Sequence, residues 1–265
     1  MVNIYSLSEP IREPKMLSKS DYMLFLRHPA WLWLKKNDPT KLQPIHPSVR
    51  QRMDDGYEFE EYAERLFSDA QKIGFSDIVE YNTMLSRTSA AWAGGAQCVS
   101  QGMYRSGELT CITDILEAGV NGYILTEIKS STSAKTEHEL DLAFQKAVLE
   151  DAGYKIHQCR VAHVDSGYVR DGEIISKKLV ALTDVTENVE KLIEKTKANI
   201  KTALEILKSD IIPDLAPENT GLNAFSEWLE IRKGLEPKLQ DGSVYHLPYL
   251  TVRQAKKLKK LKIKL

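Results

Sequence analysis

The chain has 265 residues, 42% hydrophobic and 28% charged, which bounds it to one large globular domain or a domain with appendages. Its formal net charge of −1 argues against a protein that holds nucleic acid by overall basicity, so any such contact must come from a local patch. Cys98, Cys111 and Cys159 are widely spaced with no C-x-x-C pair, which argues against a zinc or cluster site and fits free buried thiols in a reducing compartment.

The N-terminal "MVNIYSLSEPIREPK" reads as an extended lead-in over residues 1–16 and lacks the apolar segment of a signal peptide. No apolar run reaches membrane-spanning length, so the expected address is the cytoplasm, with no membrane partner. "SKSDYMLFLRHPAWLWLKK" (18–36) opens on capping residues and reads as a helix broken near Pro29. Trp31 and Trp33 fit core packing better than base stacking. Residues 46–74 read as one long helix with a stripe of Phe59, Tyr62, Ala63, Leu66 and Phe67. A short helix over 82–93 should end at Gly94-Gly95. Strands are expected near 96–104, 108–118 and 122–130, then a helix over 136–154, a strand over 155–164 and a long charged helix over 183–210. From Pro213 the chain turns loop-like and ends in "YLTVRQAKKLKKLKIKL", either a solvated face or a phosphate-contacting appendage. The expected domains are 1–212 and a C-terminal appendage over 213–265, whose abrupt end fits a piece of a longer protein. Helix, β-meander, helix, strand, helix is the order of an α/β fold with a mixed central sheet.

The informative stretch is "GELTCITDILEAGVNGYILTEIKSST" (107–132). Two strands joined by a short turn must be antiparallel. Alternation puts Tyr123, Leu125, Glu127 and Lys129 on one side, and hairpin pairing can bring Asp114 beside Glu127. Two carboxylates alone there would repel and resist desolvation. A dication removes that conflict: Mg²⁺ takes hard oxygens, one or two carboxylates and several waters, and the Ile128 carbonyl offers a further ligand. Lys129 could hold an attacking water or stabilise charge on a phosphoryl oxygen. The plain alternative is a structural salt bridge within the hairpin. On the next helix His138, Asp141 and Gln145 lie at i, i+3 and i+7 and share a face that could reach the same pocket.

The order Asp114, Glu127-Ile-Lys129, then Gln145 resembles the PD-(D/E)XK nuclease superfamily in its RecB-like branch, near the CRISPR-associated RecB-like exonucleases. The likeness spans roughly residues 18–200 and is strongest over the E-I-K-S-S strand and the helix after it. "GYEFEEYAERLF" resembles that family's first core helix, with Gly56 and Glu60 at the marked positions. The resemblance implies a restriction-endonuclease-like mixed central sheet flanked by helices, with added N- and C-terminal helical segments. It implies Asp114 and Glu127 as ligands of Mg²⁺ or Mn²⁺, Lys129 beside the nucleophilic water, Gln145 orienting Lys129, the water or the DNA backbone, and Glu60 completing the metal shell directly or through water, with Glu58, Glu61 and Glu64 as rivals on the same helix. His138, Asp141 and Tyr154 are the implied substrate contacts. The chain departs from the branch at "RHPAWLWL", where His28 stands in place of a cysteine, so no iron–sulfur cluster is expected. Leu149 replaces the tyrosine of a Gln-x-x-x-Tyr pattern, with Tyr154 further on. No G-x-x-x-x-G-K-[ST] helicase motif occurs, so unwinding would need a helicase or other protein partner.

The expected function is therefore divalent-metal-dependent hydrolysis of phosphodiester bonds in DNA, exonuclease-like. Two alternatives stand beside it: a catalytically inactive nucleic-acid-binding or scaffold protein that keeps the fold, and an interaction module docking through its tryptophan-rich helix.

Overall fold

The computed structural model describes residues 15–42, 47–236, 245, 247 and 250–261. Nearly all of the expected lead-in over 1–16 lies outside these residues. The described chain folds as α/β. A seven-stranded mixed sheet runs β2 (Gln71–Lys72), β3 (Cys98–Ser106), β4 (Leu109–Gly119), β5 (Gly122–Lys129), β6 (Ile156–Val164), β7 (Val180–Asp184), with β1 (Leu17–Ser18) paired to β4 off this path. β3, β4 and β5 are the antiparallel meander, β6 joins β5 in parallel, and β7 returns antiparallel to β6.

The β4–β5 turn demands glycine at Gly122. Its φ is 137°, and a Cβ there would sit 2.4 Å from the Lys155 carbonyl oxygen. From that turn the two strands pair only as far as Ile115↔Thr126. Beyond this point β5 leaves β4, and β1 takes up the edge further down, in parallel register with Leu109 and Thr110. The sheet thus has a slot between β4 and β5, with β1 closing its lower end.

Both faces of the sheet are covered. Leu116 and Leu125 point to one face, where α5 (Thr136–Asp151) and α7 (Thr186–Lys208) supply Phe144, Val148, Ile193 and Ile200. α1 (Lys19–Arg27) joins this layer by stacking Tyr22 on Phe144, ring centroids 4.8 Å apart. Ile115 and Ile128 point to the other face and meet Phe59 and Ala63 of α3 (Pro47–Glu64). α4 (Ile78–Ala93) packs Met84 and Ala91 against Ile73 and Val99.

The break at Pro29 separates α1 from α2 (Pro29–Asn37), with His28 as the cap of both. Trp31 and Trp33 are half-buried; Trp33 donates to the Ser209 carbonyl at 2.9 Å. The long helix expected over 46–74 stops earlier. It becomes a 3-10 turn at Arg65–Phe67, and Gln71–Lys72 then peels off to pair with β3. β7 takes residues that were expected to open the next helix, because they extend the edge of β6. After the short α6 (Ser176–Leu179), β7 and α7, the C-terminal segment folds back on the first helices. Trp228 of α8 (Phe225–Leu235) stacks on His28, centroids 3.6 Å apart, and is fully buried. The last described helix, α9 (Val252–Lys260), buries Ala255 and exposes its cations. No described helix is long and apolar enough to cross a membrane.

Candidate active site

The slot is where the charged side chains gather. The β4–β5 register, continued one step past Ile115↔Thr126, sets Asp114 opposite Glu127. Instead of a ladder hydrogen bond, the Asp114 carboxylate accepts the Ile128 N–H at 2.7 Å. In a strand the N–H and C=O of one residue face the same edge, so the Ile128 carbonyl is turned toward the slot as well. Glu127 and Lys129, two apart on β5, face the α5 side together, and the Lys129 ammonium bonds Glu127 Oε1.

α5 closes the site from above. It is wedged between sheet and α7, and its Asp141 and Gln145 are buried on the inner face. Gln145 Nε2 donates to Glu127 Oε2 at 2.6 Å and to Asp141 Oδ1 at 3.0 Å. Asp141 Oδ2 lies 3.4 Å from the Lys129 ammonium. The buried Gln145 Oε1 has no hydrogen-bond partner among the described residues.

One member came from outside every motif. Lys19, the first residue of α1, puts its ammonium 2.9 and 3.2 Å from the two Glu127 oxygens and 3.7 Å from Asp141 Oδ1. Its position is fixed locally. Ser18 pairs with Thr110, and the Ser18 hydroxyl and Asp21 form a capping box at the helix start. A second unexpected residue is Gln101, across from Asp114 on β3. It holds a left-handed backbone, φ 54°, and its amide donates to Glu60 Oε1. Only the fold could reveal either, since a lone lysine and a lone glutamine carry no pattern.

The electrostatics follow from packing three carboxylates with two ammonium groups. Burial and then the Glu127 charge push Asp114 up to about 7. Burial would raise Glu127 too, but Lys129 and Lys19 beside it hold its carboxyl well below the usual range. Asp141 is raised by burial and by Glu127. Both lysines are half-buried, which would lower them, yet these carboxylates hold them above their ordinary values.

The other expected residues divide. Glu60 sits on α3, on the opposite face of the sheet, and is held by Gln101 instead of joining the Glu127 network. Burial and the nearby Glu64 charge raise it, with a smaller contribution from Glu127. His138 is buried, and its Nδ1 accepts the Lys135 N–H at 3.2 Å, so it caps α5. Burial and the Lys129 charge depress it to about 4, which leaves it neutral. Tyr154 does not reach the site. It packs with Trp92, Tyr104 and Tyr123, beside the start of β5, whereas Glu127 and Lys129 lie at its end.

Among the described residues no three His, Cys, Asp or Glu side chains form a ready metal cage. Mg²⁺ needs no such cage, since it binds through one or two carboxylates and keeps its waters. Asp114, Glu127 and the Ile128 carbonyl are hard oxygens of the right kind. A dication would also offset the burial and the Glu127 repulsion that raise Asp114.

No family model and no curated protein matches this chain. Among solved structures it is similar to an alkaline exonuclease from Laribacter hongkongensis, at 14% identity and a TM-score of 0.37, over 74% of this chain and 92% of that one. It is also similar to a phage-related exonuclease from Haemophilus somnus 129PT, at 11% identity and a TM-score of 0.31, over 71% and 92%. These likenesses are too distant to carry a function across.

Proposed function

We propose that this chain is a divalent-metal-dependent nuclease of the PD-(D/E)XK type, in its RecB-like branch and without an iron–sulfur cluster, that hydrolyses phosphodiester bonds of DNA. One observation carries the proposal. Asp114 and Glu127 stand across a slot where the sheet hydrogen bonds have ended, the Ile128 backbone lies between them, and the Lys129 ammonium touches Glu127. A structural salt bridge would need one acid for Lys129; here three acids converge, one of them raised toward neutrality by burial and by the Glu127 charge.

Asp114, Glu127 and the Ile128 carbonyl would hold Mg²⁺ or Mn²⁺. When bound, the ion supplies a water of lowered pKa and neutralises charge on the phosphoryl oxygens. Lys129 hydrogen-bonds the attacking water and steadies the growing negative charge. Gln145 fixes the Glu127 carboxylate, and its unpartnered Oε1 can accept from that water. Asp141 braces Lys129 and Lys19. Glu60 acts at longer range through Gln101. The exposed cations Arg253, Lys256, Lys257 and Lys260, spaced i, i+3, i+4 and i+7 on α9, suit the phosphate backbone of the substrate. Exonuclease-like action with a helicase or other protein partner is the mode that the family resemblance implies.

The test is cleavage of end-labelled and circular DNA with Mg²⁺, Mn²⁺ or chelator. Lys129→Met should lower the rate by about 10² to 10⁴, and Asp114→Ala should abolish it. Full cleavage by both variants refutes the assignment. A second reading has its own support. The ammonium of Lys19 sits on both Glu127 oxygens, as in a site sealed by ion pairs in an inactive binding protein. DNA binding with no product and no bound Mn²⁺ would establish it.

A further inference from the structure

Lys19 belongs to no motif, yet it is the residue most carefully aimed at the site. Its backbone leaves β1 where that strand pairs with Thr110, and the capping box at Ser18 and Asp21 sets the first turn of α1. Asp21 is itself fixed by ion pairs to Lys35, 2.8 Å, and Lys36, 2.6 Å. A side chain mounted on such a base is held in a definite place. That place is the side of Glu127 that faces Asp141, within reach of oxygens from both carboxylates. Two carboxylates facing one point is also the geometry that a hard cation takes.

Charge balance shows what the ammonium does there. Asp114, Glu127 and Asp141 offer three negative charges when ionised, and Lys19 and Lys129 return two positive ones. One dication brings this group to a single positive charge. A second would raise it to three, in a site whose burial already opposes charge. Take Lys19 away, and one dication gives neutrality while a second leaves two positive charges instead of three.

Resting on the nuclease reading, we propose that the Lys19 ammonium stands where a second divalent ion would bind, so that this centre takes a single metal ion per chain. Asp114, Glu127 and the Ile128 carbonyl would hold that ion, and Lys19, with Lys129, supplies the fixed positive charge toward Asp141. Lys19 is thus a positioning residue for the Glu127 carboxylate and a built-in counter-charge for a phosphate drawn into the slot.

The experiment counts ions rather than products. Mn²⁺ is titrated into metal-free full-length protein, with stoichiometry read by calorimetry and spin coupling by electron paramagnetic resonance. The wild type should bind one Mn²⁺ with an uncoupled signal. Lys19→Met should bind two, with the exchange-coupled signal of a close pair, and Lys19→Arg should return to one. Two ions in the wild type overturn the role of Lys19 and leave the nuclease reading intact. One ion in both wild type and Lys19→Met also overturns it, since the lysine then excludes nothing. No ion in either overturns the metal reading itself. If Lys19→Met fails to fold, Lys19→Gln takes its place, and the wild-type count alone can still refute the proposal.

Discussion

Replacing Asp114 by Asn should stabilise the metal-free protein, and the gain should depend on pH. Asp114 is pushed up to about 7 from an ordinary 3.8. Between those values the folded form keeps a proton that the unfolded chain has released, so stability falls as pH rises through the window and levels off above it. At about 1.36 kcal/mol per pKa unit, folding Asp114 costs about 4 kcal/mol at pH 8, where it is ionised, and about 2 kcal/mol at pH 5, where it takes up a proton. Asp114 keeps an opening to solvent, so these are ceilings, and roughly half of each is expected. The amide oxygen of Asn can still accept the Ile128 N–H, so that hydrogen bond survives the change. Urea unfolding in chelator at pH 5 and pH 8 measures the effect. Asp114→Asn should be the more stable protein at both, by a wider margin at pH 8. Adding Mg²⁺ should stabilise the wild type and leave the variant unmoved. Equal stability at pH 8, or a margin indifferent to pH, would refute the idea that buried like charge is what raises Asp114.

Glu127→Gln should act in the opposite direction: it strands the Lys19 and Lys129 ammonium groups and should cost about 3 kcal/mol in chelator, while removing metal affinity measured by calorimetry. Lys256→Glu with Lys257→Glu on α9 should weaken DNA binding evenly across sequences and flatten its salt dependence by about two charges, without altering the Mn²⁺ count; an unchanged salt slope would show a merely solvated face. Trp228→Ala should cost about 3 to 5 kcal/mol through the lost stack on His28, and Mn²⁺ binding at temperatures well below its melting point should persist.

The hairpin was legible from sequence because strand alternation and a glycine turn fix register, and register alone sets Asp114 across from Glu127. The face shared by His138, Asp141 and Gln145 was legible for a like reason, helical spacing, although two of the three serve neighbouring protein groups first. Lys19 was hidden. A lysine at the start of a helix reads as solvated, and its approach to Glu127 depends on a parallel bridge to β4 that no local pattern announces. β2 and β7 were missed because each is short and owes its conformation to a neighbour's free edge. Tyr154 is a substrate contact only on the family resemblance, as the nearest tyrosine beyond the Leu149 position. The chain turns at Gly153, φ 94°, and sends the ring to the aromatic cluster instead.

The pairing of β1 with β4 has a consequence for the birth of the molecule. Leu17 and Leu109 lie far apart along the chain, and their union closes a large loop, which is slow to find. The hairpin bearing Asp114 and Glu127 can zip up locally beforehand. Closing that loop is therefore what adds the Lys19 ammonium to acids whose register the hairpin alone fixes.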